Sequence, residues 1–144
     1  MLRRAVLIWL CIVPVAMTNG TVRDLIVAPV LGDPIARAIS CLTLAGATFV
    51  IAWMSIRWIG PIDQIEAWVI GLIWLGLTLA FEFFVGHYVF GAPWEELRAD
   101  YDLLQGRLWI LVLVASLTAP PLMFRVVQSS SGAVDFSAAR EVRP

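Results

Sequence analysis

Lysine is absent from this sequence, histidine occurs once and cysteine twice. All ten basic residues are arginine, which we attribute to codon bias rather than to function. A single histidine, His87, excludes bis-histidine haem ligation within one chain. Cys11 and Cys41 lie in separate apolar segments, outside any CxxC pair or Cys/His cluster, which argues against a zinc site or a thiol oxidoreductase. We therefore predict no metal and no cofactor.

Charged residues are also scarce, at 15% of the chain, and the formal net charge of −1 gives no sign of nucleic-acid binding. Hydrophobic residues make up 60% of the 144 residues. An average soluble domain has about 45–50%. A soluble fold of this length could not bury so much apolar surface, so lipid must solvate part of it. The sequence predicts an integral membrane protein whose first partner is the lipid bilayer.

Four apolar segments are long enough to cross a bilayer, because about 20 helical residues span its hydrocarbon core. Their predicted ranges are 5–22, 35–58, 64–90 and 107–124. A cleaved signal peptide is the alternative for the first segment, but the small residues that follow fit a cleavage site poorly.

Local signals predict where these helices start and end. Asp33 before Pro34 predicts an N-cap followed by proline at the first helical position of the second helix. Asp63 and Glu66 have the spacing of a capping box at the start of the third helix. The pair Pro120–Pro121 predicts a kink or an end near the exit of the fourth helix.

The predicted fold is all-α: a polytopic membrane protein with a four-transmembrane-helix bundle over residues 1–127. Residues 128–144 are predicted to form a disordered cytoplasmic tail. Between helices 3 and 4, residues 93–104 are predicted to form a short amphipathic helix on the outer membrane surface. Its apolar stripe consists of Trp94, Leu97, Tyr101 and Leu104.

The arginines predict the orientation of the bundle. With the N-terminus inside, six arginines lie on the cytoplasmic side and four on the opposite side. The six are Arg3, Arg4, Arg57, Arg125, Arg140 and Arg143; the four are Arg23, Arg37, Arg98 and Arg107. We therefore expect both termini to be cytoplasmic.

Small residues predict which helix faces pack together, since they let membrane helices approach closely. On the second helix, six of them follow a helical spacing: Ala38, Cys41, Ala45, Thr48, Ala52 and Ser55. On the third helix, Gly71, Thr78 and Glu82 share a face that should point into the bundle. Large residues such as Ile70 and Phe84 are expected on the lipid side.

Polar residues gather at the predicted non-cytoplasmic ends of the helices. Glu82 falls within the outer part of the membrane, where an ionised carboxylate is costly unless it is paired. Arg23 and Arg107 are its candidate partners. The candidate polar cluster, read as a pocket or an ion path, is Asn19, Arg23, Asp24, Glu82, His87, Asp100 and Arg107. The alternative is a salt bridge between Glu82 and an arginine that only ties helices together.

Three strings carry a resemblance: TNGTVRDLIVAPVLG at 18–32, FEFFVGHYVFGAPW at 81–94 and ADYDLLQGRLW at 99–109. In these strings and in its layout, the chain resembles a group of small uncharacterised four-helix bacterial inner-membrane proteins. The resemblance covers most of the chain except the tail. It implies a four-helix fold in the bacterial inner membrane, and it implies no activity.

Three functions follow as hypotheses. We predict an accessory or structural membrane component, because no catalytic constellation is visible. The first alternative is a small oligomeric transporter coupled to protons or cations through Glu82. The second is an enzyme acting on a lipid or a quinone, with Glu82 or His87 as a base, although nothing supplies a nucleophile. A homo-oligomer or a membrane-protein partner is compatible with all three.

Overall fold

The computed structural model describes residues 1–84, 88, 91 and 108–141, and side-chain surroundings as far as residue 130. The described residues are helical apart from short turns, with no strand among them, so the all-α prediction is confirmed. In chain order the helices are α1 (Leu2–Val22), a π-helical turn (Arg23–Val27), α2 (Ala28–Leu31), α3 (Asp33–Ile59), α4 (Gln64–Phe84) and α5 (Trp109–Glu141).

Four helices in this part of the chain are long and apolar enough to cross a membrane. They are Leu2–Leu31, Asp33–Ile59, Gln64–Phe84 and Trp109–Ser130. Each coincides with one of the four predicted segments. The predicted continuation of the third segment to residue 90 and the amphipathic helix 93–104 fall largely or wholly outside the described residues.

The first helix is longer than predicted, because the apolar stretch Leu25–Leu31, expected as a loop, is helical. Pro29 lacks the N–H that would continue an α-helical ladder. The chain passes through the wider turn Arg23–Val27 just before this proline, and the short α2 follows. A proline within an apolar helix is therefore accommodated here by a local change of helical register.

The cap predicted for the third helix is confirmed and the cap predicted for the second is wrong. The backbone N–H of Glu66 donates to Oδ1 of Asp63 at 2.8 Å, and Oε2 of Glu66 accepts from the N–H of Ile62 at 2.7 Å. At α3, Gly32 holds the N-cap position and no side chain caps the helix. Asp33 is the first helical residue instead, where its carboxylate favours the positive end of the helix dipole.

Helix α5 does not end at its two prolines. Pro120 and Pro121 are fully buried within it, and the helix continues to Glu141, through most of the stretch predicted as a tail. The hydroxyls of Ser129 and Ser130 each donate to a backbone carbonyl one turn earlier, at 2.9 Å. Each proline removes one intrahelical hydrogen bond, and both rings are buried in the bundle.

The helices run alternately up and down. Arg4 of α1 donates to the carbonyl of Trp58 at 2.8 Å, and Asn19 of α1 donates to Ser40, so α1 and α3 are antiparallel. Gln64, at the start of α4, donates to the carbonyl of Pro121 at 3.1 Å. Glu82, near the end of α4, accepts from Trp109 at the start of α5, so α4 and α5 are antiparallel as well. We call the end with Arg4, Trp58 and Gln64 the near end, and the end with Asn19 and Ser40 the far end.

The largest helix–helix interfaces in the described chain join α5 to α3 and α5 to α4. Helix α1 makes smaller interfaces with the same two helices. Helices α3 and α4 therefore occupy opposite corners of the bundle, although only residues 60–63 connect them. At the start of that connection, Gly60 takes the left-handed conformation (φ 73°) that a helix C-terminus favours and that glycine adopts without strain.

The buried face of α3 agrees with the predicted small-residue face only in part. Thr48, Ala52 and Ser55 are buried, but towards the far end the buried positions shift to Ser40 and Leu44. On α4 the expectation for one large residue is wrong: Ile70 is fully buried in the core and does not face lipid. Two large residues of α3, Ile56 and Ile59, belong to the same core cluster, and the small-residue pattern gave no information about them.

Gly71 lies where the backbones of α4 and α5 approach each other closely. A Cβ placed on Gly71 would overlap the carbonyl oxygen of Leu117. That carbonyl stands four residues before Pro121, which has no N–H to bond it within the helix. Glycine on one helix and proline on the other therefore bring two backbones together, the kind of packing that membrane helices use.

Candidate functional site: a polar cleft at the far end

A cleft with a volume of about 480 Å³ lies at the far end, lined by residues from α1, the π-helical turn, α3, α4 and α5. Three of the predicted cluster residues line it: Asn19, Arg23 and Asp24. Apolar lining comes from Leu44 and Phe81, among others. The structure thus brings part of the predicted cluster together.

Asn19 holds α1 against α3 beside this cleft. Its side-chain amide donates to the hydroxyl of Ser40 at 2.6 Å and to the backbone carbonyl of Ser40 at 3.0 Å. Asn19 is half-buried and Ser40 is buried. The sequence pattern identified Asn19 but not Ser40, because serine in an apolar helix most often bonds its own backbone.

Arg23 and Asp24 form an ion pair between adjacent residues at the start of the π-helical turn. The guanidinium donates from Nε to Oδ1 at 2.7 Å and from Nη2 to Oδ2 at 3.1 Å. The side chain of Arg23 is 31% exposed and that of Asp24 is 62% exposed. Because the two charges neutralise each other at one place, the pair adds a dipole to the cleft and no net charge.

Glu82 lies in the last turn of α4 and is half-buried. Its Oε2 accepts a hydrogen bond of 2.6 Å from the indole N–H of Trp109, in the first turn of α5. Trp109 also lines the cleft, so it links the carboxylate to the cleft wall. From the sequence, an arginine is predicted as the partner of Glu82, and that pair stays a prediction. The hydrogen bond that Trp109 donates to Glu82 was not predicted.

The remaining predicted cluster residues, His87, Asp100 and Arg107, lie outside the described residues. Of the residues described beyond α4, Tyr88 is exposed and stacks on Phe84, with ring centroids 6.0 Å apart.

Two further indoles connect α1 to α4 below the cleft. Nε1 of Trp9 donates to the hydroxyl of Thr78 at 3.0 Å, and Nε1 of Trp74 donates to the carbonyl of Ala5 at 2.9 Å. Trp74 is fully buried. A buried indole needs an acceptor, so its presence in an apolar helix was a usable signal for such contacts.

The chemistry available at this end is limited by these internal partners. Among the described residues, every buried side-chain nitrogen and oxygen has a hydrogen-bond partner. Over the same residues, no group of three or more His, Cys, Asp or Glu side chains is placed to hold a metal ion. The arrangement holds helices in position and leaves a cleft with one ion pair, one amide–hydroxyl pair and one indole at its wall.

By fold, the chain belongs to the class of all-helical proteins with several helices apolar enough to span a membrane. Comparison with known proteins matches it to no family model, no curated protein and no solved structure.

Proposed function

We propose that this is a multi-pass protein of the bacterial inner membrane that serves as an accessory or structural component. The observation that carries the proposal is how the polar side chains inside the helix bundle are hydrogen-bonded. In the described residues, several of them are hydrogen-bonded across helix interfaces, and others bond a carbonyl of their own helix, as Thr48, Ser55 and Ser116 do.

Each pair of neighbouring antiparallel helices has such a bond at both ends. Helices α1 and α3 are joined through Arg4 and Trp58 at the near end and through Asn19 and Ser40 at the far end. Helices α4 and α5 are joined through Gln64 and Pro121, and again through Glu82 and Trp109. Polar contacts of this kind stabilise membrane helix association by about 1 kcal/mol each.

The near end is proposed to face the cytoplasm. The described arginines there include Arg3, Arg4, Arg57 and Arg125, which fits the excess of positive charge on the cytoplasmic side of membrane proteins. Epitope tags at either terminus should then be inaccessible to antibody in spheroplasts and accessible after permeabilisation. An accessible tag on intact spheroplasts would reverse the orientation.

The decisive experiment separates the charge of Glu82 from its hydrogen bond. In Glu82→Gln, the amide oxygen can still accept from Trp109, whereas in Glu82→Leu no acceptor remains. A structural role predicts that Glu82→Gln keeps most of the thermal stability of the purified protein and that Glu82→Leu loses about 1–3 kcal/mol.

A second candidate function rests on one observation: Glu82, a half-buried carboxylate, is joined by Trp109 to the wall of a cleft. That geometry would suit a proton- or cation-coupled transporter, which with four helices would work as an oligomer. Proteoliposomes containing a pH-sensitive dye test it. Proton flux that disappears in a stable Glu82→Gln variant supports transport, and absence of flux in the wild type supports the structural role.

A further inference from the structure

Arg57 lies at the near end, in the last turn of α3, between two clefts. One cleft has a volume of about 400 Å³ and is also lined by Trp53, Met54 and Ser130. The other has a volume of about 200 Å³ and runs past the Gly60 turn to Gln128. Arg57 and Val127 line both, so the clefts adjoin along the α3–α5 boundary.

The guanidinium of Arg57 is exposed, and within the described residues it makes no hydrogen bond or ion pair. Arg4, at the same end, differs: it donates to the carbonyl of Trp58 and lies over the Trp58 ring, 5.3 Å from its centroid. The nearby acids, Asp63 and Glu66, are engaged in the cap of α4. Arg57 therefore presents a positive charge, uncompensated in this part of the chain, between two clefts.

In the larger cleft, apolar side chains precede this charge along α3. Trp53 is 56% exposed and Met54 is 73% exposed. They precede Arg57 by three to four residues, which places them roughly 5–6 Å further from the near end along the helix. On the facing helix, Ser130 also lines this cleft, and its hydroxyl donates to the carbonyl of Val126.

We propose that this groove binds the headgroup of an anionic glycerophospholipid. Arg57 contacts the phosphate, because a guanidinium offers paired N–H donors that match phosphate oxygens. An acyl chain runs along Trp53 and Met54 towards the bilayer centre. Basic pockets between transmembrane helices on the cytoplasmic side are suited to phospholipid headgroups. The proposal rests on the membrane location proposed above.

The test uses the full chain in nanodiscs made of phosphatidylcholine with a minor fraction of phosphatidylglycerol. Native mass spectrometry after release from the disc measures how much phosphatidylglycerol stays bound. Arg57→Gln removes the charge from the groove. Arg125→Gln is the matched control, because Arg125 is an exposed arginine of α5 near the same end that lines neither cleft.

We expect Arg57→Gln to retain about tenfold less phosphatidylglycerol than the wild type, because a charge-assisted phosphate contact is lost. Arg125→Gln should stay within about threefold, since an exposed charge acts only through screened attraction to the leaflet. Arg57→Lys should give an intermediate value, because it keeps the charge without the paired donors.

Three outcomes overturn the proposal: equal retention in Arg57→Gln and the control, displacement of the lipid by inorganic phosphate, or a second copy of the chain bound in place of lipid. Failure of the protein to insert into nanodiscs would instead overturn the membrane location, so the two failures can be told apart.

Discussion

The indole of Trp109 donates its N–H to the carboxylate of Glu82, so the first turn of α5 is bonded to the last turn of α4. At the other end of the same interface, Gln64 donates to the carbonyl of Pro121. The α4–α5 interface is thus bonded at both ends, and between them Gly71 lets the two backbones meet. Variants at this interface should therefore have clear effects on the stability of the protein.

Replacing Trp109 with phenylalanine should destabilise the protein by about 1–3 kcal/mol, because Glu82 loses a donor to a partly buried carboxylate. Thermal unfolding in detergent, followed by circular dichroism, measures the loss. Trp68→Phe is the control: Trp68 is on the same helix as Glu82, is exposed, and makes no hydrogen bond through its indole in the described chain. Equal effects of the two variants would refute a role for the Trp109–Glu82 bond.

Gly71→Ala should lower stability by about 1–3 kcal/mol, since the added methyl group forces α4 away from Leu117. The same change at Gly76 meets no atom within 4 Å and should be neutral or stabilising, because alanine is the better helix former. The thermal unfolding midpoints of the two variants test this prediction. A Gly71→Ala variant as stable as Gly76→Ala would show that the helices do not approach closely at this point.

Thr78→Val should cost about 1 kcal/mol, because the indole N–H of Trp9 loses its acceptor while the side-chain shape is kept. The matched change, Thr43→Val, affects an exposed threonine of α3 and should have little effect. Combining Thr78→Val with Trp9→Phe gives a double-mutant cycle. Strict additivity in that cycle would show that the two side chains do not interact.

Variants at the α1–α3 contact should follow an order of severity. Ser40→Ala removes one of the two acceptors of Asn19, and the backbone carbonyl of Ser40 remains, so the loss should be small. Asn19→Leu removes both hydrogen bonds and should cost about twice as much, on the order of 1–2 kcal/mol. Limited proteolysis of the purified variants in detergent, with the release of α1 as the readout, would check this order. The reverse order would contradict the geometry of this contact.

Much of the helical architecture could be predicted from the sequence because apolar length and cap chemistry are local. The Asp63–Glu66 cap depends on residues three positions apart, and it forms as expected. The burial of Ala52 and Ser55 followed from small residues at a helical spacing. These features need no knowledge of which helix is the neighbour.

The parts that were missed depend on the neighbour. Ile70 reads as a lipid-facing residue by size, yet the position of α4 between α1 and α5 buries it completely. Glu82 needs a partner by its charge, but its donor Trp109 is a neutral residue that no rule based on charge identifies. Asp33 was displaced from the cap by one residue because Gly32 takes that position. No local rule distinguishes these alternatives.

The diagonal placement of α3 and α4 has a consequence for biosynthesis. These helices follow each other directly in the chain, but they share little surface, so the nascent hairpin has few contacts of its own in the described chain. The two most extensive interfaces are made only after α5, the last of the four in chain order, has been synthesised. If the helices insert into a membrane one after another, the chain would until then stay loosely associated and open to quality-control proteases. Completion of the bundle is therefore tied to the arrival of its C-terminal helix.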